Sequence, residues 1–194
     1  MTDAAAGRKA SRDAGADAGA DAAVSAATAA GTDHVDLVLE QWHGQRPDLD
    51  VSPMAVIGRL KRLALLMEPA MKRTFASHGL DAASFDVLAT LRRNGPDRHL
   101  TPAELMRSAM VTSGAVTQRL DRLQERGLIT RRPSPTDGRV VQVALTEEGL
   151  ALIDGALPDH LATEVGLLSA LSPAELAQLA DSLKALLLGL GDGR

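Results

Sequence analysis

The chain contains no cysteine among its 194 residues, which excludes disulfide bonds, thiolate metal sites and thiol-based redox sensing. Aromatic residues are also scarce, since one tryptophan, two phenylalanines and no tyrosine make up 2% of the chain. Apolar residues nevertheless reach 45%, so the core has to be built mainly from leucine, alanine, valine and methionine. This composition favours packed helices over a β-sandwich.

Other absences narrow the range of functions. No uninterrupted apolar run approaches the ~20 residues of a membrane-spanning helix, and the N-terminal stretch has no apolar signal-peptide core. We therefore expect a cytoplasmic protein. There is no glycine-rich phosphate loop after a strand-like run and no nucleophile elbow, so we expect neither an enzyme nor a bound cofactor. His160 and Glu164 are four residues apart, but no third ligand clusters with them, and we expect a solvated helix face and no metal site.

The net charge of −4 hides an uneven distribution. Residues 92–141 contain ten arginines and five acidic residues, a net charge of +5, whereas residues 1–50 carry −5 and residues 142–194 carry −6. A basic island inside an acidic chain is typical of a phosphate-binding surface. A solvated face with charges scattered by chance would have the same composition, so charge alone does not decide between the two.

The first 80 residues divide into a tail and two helices. Residues 1–31 are rich in alanine, glycine and aspartate, with the near-repeat AGADAGADAA, and predict a disordered low-complexity tail. Residues 32–80 predict an extra N-terminal helix and then a longer helix with Ser52 as its cap. The extra helix places three apolar side chains on one face, those of Val35, Leu39 and Trp42.

Residues 81–146 predict a compact helix-and-hairpin module. One helix follows Asp81, a short helix starts at a capping box of Thr101 and Glu104, and another helix ends at Gly127. The runs LITRR and RVVQVAL then have a strand-like period and are joined by the turn-forming PSPTDG. Two short helices followed by a hairpin predict a winged helix-turn-helix, within a mostly α fold that has one small β-hairpin.

Residues 147–194 predict two C-terminal helices. Thr146 caps the first helix, and the second begins at a capping box of Ser172 and Glu175. Leucines crowd nearly every side of the last helix, which a single packing face does not explain. We therefore expect this region to be buried against a second chain. The leucines are Leu183, Leu186, Leu187, Leu188 and Leu190.

The second helix of the predicted helix-turn-helix has the features of a DNA-recognition helix. Small residues at its start let the backbone approach the major groove, and their amides and hydroxyls can hold phosphates. These residues are Thr112, Ser113 and Gly114. The side chains that point away from the core further along are those of Thr117, Gln118 and Arg122. At the hairpin tip, Arg139 can reach a neighbouring minor groove.

Three pieces of this region, in order and at characteristic spacing, resemble one known family, the MarR-type transcriptional regulators. They are RLDRLQERGLITR, the Asp-x-Arg of Asp137 and Arg139, and ALTEEG. The resemblance covers about residues 52–190 and implies a homodimer joined through helices of residues 32–80 and 147–194. It also implies pseudo-palindromic double-stranded DNA as the partner, repression, and release by a small ligand. In the family the wing aspartate pairs with the wing arginine.

A narrower resemblance, to the urate-responsive subgroup of that family, concerns the ligand. The helix ahead of the usual fold carries Trp42, and three further positions match the subgroup's ligand-binding set, namely Asp86, Arg119 and Arg131. We hypothesise that Asp86 and Arg119 form a partly buried ion pair that holds the recognition helix. An anionic planar ligand would then take the place of Asp86 on an arginine, and Trp42 would close the pocket with its flat apolar face.

Three functional alternatives stay open. The four-residue match favours urate or a related purine as the effector. Arginines bind carboxylates equally well, so a tricarboxylate such as citrate or aconitate is the rival effector. The protein could also be a ligand-independent architectural dimer, which the apolar C-terminal helices fit as well. A small anion that binds the native state raises its melting temperature, which separates the first two alternatives from the third.

Overall fold

A computed structural model of the chain describes residues 31–95, 99–108, 116–134 and 137–193. Thr112, Ser113 and Gly114, and all of the predicted tail except Gly31, lie outside these ranges. The chain divides into two compact units, one ending at Leu63 and the other beginning at Ala64. The described elements are α1 (His34–Gln45), α2 (Ser52–Ser77), α3 (Ala82–Arg93), α4 (Pro102–Ser108), α5 (Val116–Glu125), β1 (Ile129–Pro133), β2 (Val141–Leu145), α6 (Glu147–Leu167) and α7 (Pro173–Gly189).

Among the described residues of the first unit, one arginine and one close contact link the two helices. Asp33 caps α1, and Arg59 of α2 donates to the carboxylates of Asp33 at 2.8 Å and Asp36 at 2.6 Å. Hydrogen bonding from the Asp36 amide, assisted by Arg59, lowers the pKa of Asp33. Val35 is buried, and its Cγ1 lies 3.1 Å from the position that a Cβ on Gly58 would occupy. A glycine at this position therefore lets α2 pack closely against α1.

The second unit is built around one apolar core. As predicted, α3 places Phe85, Leu88 and Leu91 in this core, each at most 6% exposed. The remaining members come from the end of α2, from α4 and α5, from the hairpin and from α6, and the largest of those that are fully buried are Leu100, Leu105, Leu120, Leu123, Ile129, Val143 and Ile153. Burial of apolar surface is the dominant favourable term in folding. Because every part of the helix-and-hairpin module contributes to it, this core sets the mutual positions of those parts.

The hairpin forms where the strand-like runs predicted it. β1 and β2 pair antiparallel, with Ile129 opposite Leu145 and Arg131 opposite Val143. Leu100, just before α4, adds a backbone bridge to Val143, with N–O distances of 3.0 and 2.8 Å. Val143 is fully buried. The strand that carries the wing is thus anchored to the core, and the prediction of a mostly α fold with one β-hairpin is confirmed.

Most of the predicted helix caps are confirmed. In the capping box before α4, the Thr101 hydroxyl accepts from the Glu104 amide at 3.2 Å and the Glu104 carboxylate accepts from the Thr101 amide at 2.8 Å. The box of Ser172 and Glu175 is also present before α7. The prediction for α2 was wrong, because Ser52 lies inside the first turn and donates its own amide to the carboxylate of Asp50 at 2.9 Å. The helix therefore begins one residue earlier than predicted, and the Asp50 carboxylate satisfies one of its first free amides.

The start of α6 approaches the backbone of the hairpin base closely. The Thr146 hydroxyl accepts from the Gly149 amide at 3.0 Å, as predicted for a cap, and donates to the Gly127 carbonyl at 2.7 Å. A Cβ added to Gly149 would lie 1.9 Å from the Leu128 carbonyl oxygen. No real Cβ contact is that short, so this position in the ALTEEG sequence requires glycine. The close approach joins α6 to the segment between α5 and β1.

The C-terminal helices leave apolar side chains on the surface. No residue of α7 is buried, and Leu186, Leu187 and Leu188 are each about half exposed, at 48%, 50% and 55%. Leu157, Leu161 and Val165 of α6 are exposed as well. Among the described helices, none combines the length and the apolar character needed to cross a membrane. An apolar surface of this kind agrees with the expectation that the region packs against another chain.

Substitution of Gly149 tests the close approach of α6 to the hairpin base. We expect Gly149→Ala to lower the free energy of unfolding by about 3 kcal/mol or more, because either α6 or the Leu128 carbonyl has to move. Gly155 provides the matched control, since it lies in the same helix with open space around its Cβ position.

We expect Gly155→Ala to stabilise the protein by up to ~1 kcal/mol through helix propensity. Urea denaturation of both variants measures the difference. Equal stabilities would show that the contact between α6 and the Leu128 carbonyl imposes no constraint.

Candidate DNA-binding and effector site

The helix α5 is amphipathic in the way a recognition helix has to be. Leu120 and Leu123 are buried at 2% and 1% exposure and attach the helix to the core. Thr117, Gln118 and Arg122 are exposed. The predicted DNA-facing side chains therefore lie on the side of α5 that the core leaves free. The predicted phosphate-binding residues Thr112, Ser113 and Gly114 lie outside the described residues.

The hairpin turn carries Arg139 on the surface, next to Asp137. The Asp137 carboxylate accepts a hydrogen bond from the backbone amide of Arg139 at 3.0 Å, and its carbonyl accepts from the Val140 amide at 2.9 Å. No ion pair between the two side chains occurs among the described residues, which corrects the pairing implied by the resemblance. The short aspartate side chain is well placed to shape the turn through the backbone. Asp137 thus presents Arg139 without binding its guanidinium.

The predicted ion pair between Asp86 and Arg119 stays a prediction. Asp86 is buried at 8% exposure and lines a cavity of about 410 Å³ between α3 and α6. Arg119 acts electrostatically on Asp81, the cap of α3. Burial by itself would raise the pKa of Asp81, but hydrogen bonds from Ser84 and the positive charge of Arg119 outweigh it and lower that pKa. The recognition helix is therefore coupled by charge to the start of α3.

Arg131 contacts the recognition helix. Its Nε donates to the side-chain oxygen of Gln124, and its Nη2 donates to the carboxylate of Asp121. Sequence reasoning assigned Arg131 to the ligand and overlooked Asp121. The signal was available in the sequence, because Asp121 and Gln124 are three residues apart and share one face of α5.

Trp42, the fourth residue of the predicted ligand set, belongs to the first unit. It lies near the end of α1, where its carbonyl accepts from the Arg46 amide at 2.7 Å, and its side chain is 42% exposed. Exposure of this size leaves a flat apolar face available for a partner or a ligand.

The cavity beside Asp86 contains groups that sequence reasoning did not assign to a site. At the edge of this cavity, the Arg92 guanidinium donates to the Asp154 carboxylate at 2.6 Å. The His160 ring stacks on Phe75 and also contacts Phe85, with ring centroids 5.6 and 4.6 Å apart.

The expectation of a solvated face at His160 was therefore wrong, because α6 turns this ring toward the two phenylalanines. Its Nε2 lies 3.3 Å from a Glu164 carboxylate oxygen. Within the described ranges no group of three or more histidine, aspartate or glutamate side chains could hold a metal ion.

The geometry defines a class of protein. A short capped helix, a second helix with exposed polar side chains and a hairpin with an arginine at its turn form a winged helix-turn-helix, which binds DNA. A family model for the MarR family matches residues 78–140, which cover this module from α3 to the hairpin turn.

Comparison with known proteins gives the family. The chain is 41% identical over 142 residues to the transcriptional regulator PecS of Dickeya dadantii, covering 73% of this chain and 86% of PecS. The chain belongs to the MarR family of transcriptional regulators. Because its relatives regulate transcription, the expectation that it is not an enzyme is confirmed.

Two solved structures agree with this assignment. The apo form of MarR from E. coli is 31% identical, with a TM-score of 0.56, and the match covers 67% of this chain and 96% of that one. BpsR of Bordetella bronchiseptica, whose DNA binding is regulated by 6-hydroxynicotinic acid, is 26% identical, with a TM-score of 0.61 and coverage of 68% and 91%.

Removing the charge of Arg139 tests the wing as a DNA contact. We expect Arg139→Ala to weaken DNA binding and to reduce the slope of log affinity against log salt by about 1, because one phosphate contact is lost. Fluorescence anisotropy with a labelled duplex at several salt concentrations measures both quantities.

Arg73→Ala serves as the control, because it removes the same charge from an exposed position in α2. An identical salt slope for wild type and Arg139→Ala would exclude the turn arginine from the interface.

Proposed function

We propose that the chain is a homodimeric repressor that leaves pseudo-palindromic operator DNA when a small anionic metabolite binds. The observation that carries this proposal is the α5-and-hairpin module, in which one core holds a helix with exposed Thr117, Gln118 and Arg122 beside a turn with exposed Arg139. The cavity next to Asp86 adds a place where a small molecule can act on the same unit.

The DNA contacts follow from the chemistry of these residues. Small residues at the start of the recognition helix, Thr112, Ser113 and Gly114, let it enter the major groove and bind phosphate. Thr117, Gln118 and Arg122 then face base edges and backbone, while Arg139 reaches the minor groove, with Asp137 shaping its turn. Two such modules related by a two-fold axis meet successive major grooves about one helical turn, ~34 Å, apart. Footprinting on DNA upstream of its own gene tests this spacing.

The apolar surface of the C-terminal helices supports a homodimer. Exposed leucines on α7 and exposed Leu157, Leu161 and Val165 on α6 exceed what isolated surface residues account for. A self-complementary interface with two-fold symmetry is the most frequent way to bury such a surface. The palindromic operator expected for the family requires the same symmetry.

Charged substitutions in α7 test the dimer. We expect the double variant Leu187→Glu/Leu188→Glu to be monomeric at micromolar concentration, because burying two carboxylates in an apolar interface is costly. Size-exclusion chromatography with light scattering measures the mass.

The variant Gln178→Glu/Ser182→Glu adds the same charge at exposed polar positions of the same helix, and we expect it to remain dimeric. A wild-type protein that is itself monomeric would remove the basis for the proposed operator symmetry.

The proposed effector is urate or a related purine, bound by Trp42, Asp86, Arg119 and Arg131. Of these residues, Asp86 lines the cavity of about 410 Å³, which is of ordinary size for a small-molecule site. The likeness to BpsR, which responds to a planar heteroaromatic acid, favours a planar anion. A tricarboxylate such as citrate or aconitate is the second candidate, because arginine forks bind carboxylates with paired hydrogen bonds.

The variant Asp86→Asn tests the effector site. We expect the urate concentration that releases half of the bound DNA to rise about tenfold or more, because Asp86 lies in the cavity wall. The melting temperature measured without urate should stay close to that of the wild type, because the substitution affects the urate response more than it affects folding. Asp181→Asn, at an exposed position of α7, is the control and should respond like wild type.

Titration of urate and citrate against the melting temperature separates the candidates. A ligand that binds only the native state raises this temperature further as its concentration increases above its dissociation constant. A rise with citrate alone would favour the tricarboxylate, and no rise with either anion would favour a ligand-independent architectural dimer.

A further inference from the structure

One guanidinium joins the recognition helix to the wing. Arg131 lies on β1, and its planar fork makes two hydrogen bonds to α5, one to Asp121 and one to Gln124. The two acceptors are three residues apart and lie on the same face of the helix. A planar donor with two separate acceptors restricts both the distance and the orientation of β1 relative to α5. A single hydrogen bond does not restrict both.

The covalent connection at this point is short. Only three residues separate α5 from β1, and Gly127 among them has φ +72, which turns the chain sharply. On the other side, Arg131 is paired in the sheet with the fully buried Val143. The base of the hairpin is therefore anchored in the core, and the Arg131 side chain, 26% exposed, links this anchored strand back to α5.

We propose that Asp121 is a positioning residue for DNA binding, which holds Arg131 and thereby fixes the angle between the recognition helix and the wing. A helix in the major groove and an arginine in the adjacent minor groove bind together only at one mutual orientation. Asp121 needs no contact with DNA for this role. This inference goes beyond the proposed effector response and depends only on DNA binding.

The direction in which DNA affinity changes when Asp121 loses its charge distinguishes a positioning role from simple charge repulsion. Asp121 carries a negative charge on the basic module, where it repels DNA phosphates. Removing that charge should therefore leave affinity unchanged or increase it. A positioning role predicts the opposite result, weaker binding to the preferred sequence, because Arg131 loses its charged acceptor.

The experiment compares two duplexes of equal length, one selected by the wild-type protein from a random-sequence pool and one of random sequence. For Asp121→Asn we expect about tenfold weaker binding to the selected duplex. Binding to the random duplex should be unchanged or slightly tighter, because nonspecific affinity depends on phosphate neutralisation. A partly unfolded variant would bind both duplexes more weakly, and that result would overturn the proposal.

Glu125→Gln is the matched control. Glu125 lies on the same helix, is exposed and takes part in none of the ion pairs among the described residues. Its substitution removes the same charge, and we expect unchanged or slightly tighter binding to both duplexes. Equal behaviour of Asp121→Asn and Glu125→Gln would show that the Asp121–Arg131 pair is a surface ion pair without a role in DNA binding.

A second pair of variants tests the link from the other side. Arg131→Lys keeps the positive charge but loses the planar fork, so we expect weaker binding to the selected duplex and unchanged binding to the random one. The double variant Asp121→Asn/Arg131→Lys should bind the selected duplex no more weakly than the weaker-binding single variant does. The reason is that both substitutions break the same contact. Fully additive losses would overturn the proposal.

Discussion

The positions of the described DNA-facing groups depend on one constraint, the shared apolar core of α3, α4, α5, the hairpin and α6. Leu120 and Leu123 attach the recognition helix to this core, while Ile129 and Val143 attach the wing. Since these leucines and β-branched residues occupy the inner positions, the polar residues between them have to face solvent. The exposure of the recognition surface is therefore a consequence of core packing.

Polar contacts refine what the core establishes. Gly149 packs against the Leu128 carbonyl, the Thr146 hydroxyl bonds to Gly127, and Arg131 bonds to α5, all close to the short connection between α5 and β1. That connection is therefore constrained from several directions. Constraint at this point suits a DNA-binding module, because a small rotation at the hairpin base becomes a large displacement at its tip.

The charged residues of the effector hypothesis make contacts that local sequence patterns did not predict. Asp86 faces the cavity between α3 and α6, whereas Arg119 acts on Asp81 and Arg131 bonds to Asp121. An anion that binds Arg131 would compete with the carboxylate of Asp121, which lies on the recognition helix, and one that binds Arg119 would weaken its electrostatic contact with Asp81. This arrangement is compatible with release of DNA by an anionic effector.

By itself, the sequence determined the mostly α fold, the hairpin, the caps at Thr101, Thr146 and Ser172, and the family. These features depend on the spacing of apolar residues and on capping and turn residues. Such patterns can be recognised within a stretch of about ten residues. The tertiary structure decided which charged groups meet. Whether Asp86, Asp81 or Asp121 lies beside a given arginine depends on helix rotation and on how closely elements approach, as at Gly149. Such contacts join residues far apart in the chain, and no local pattern specifies them.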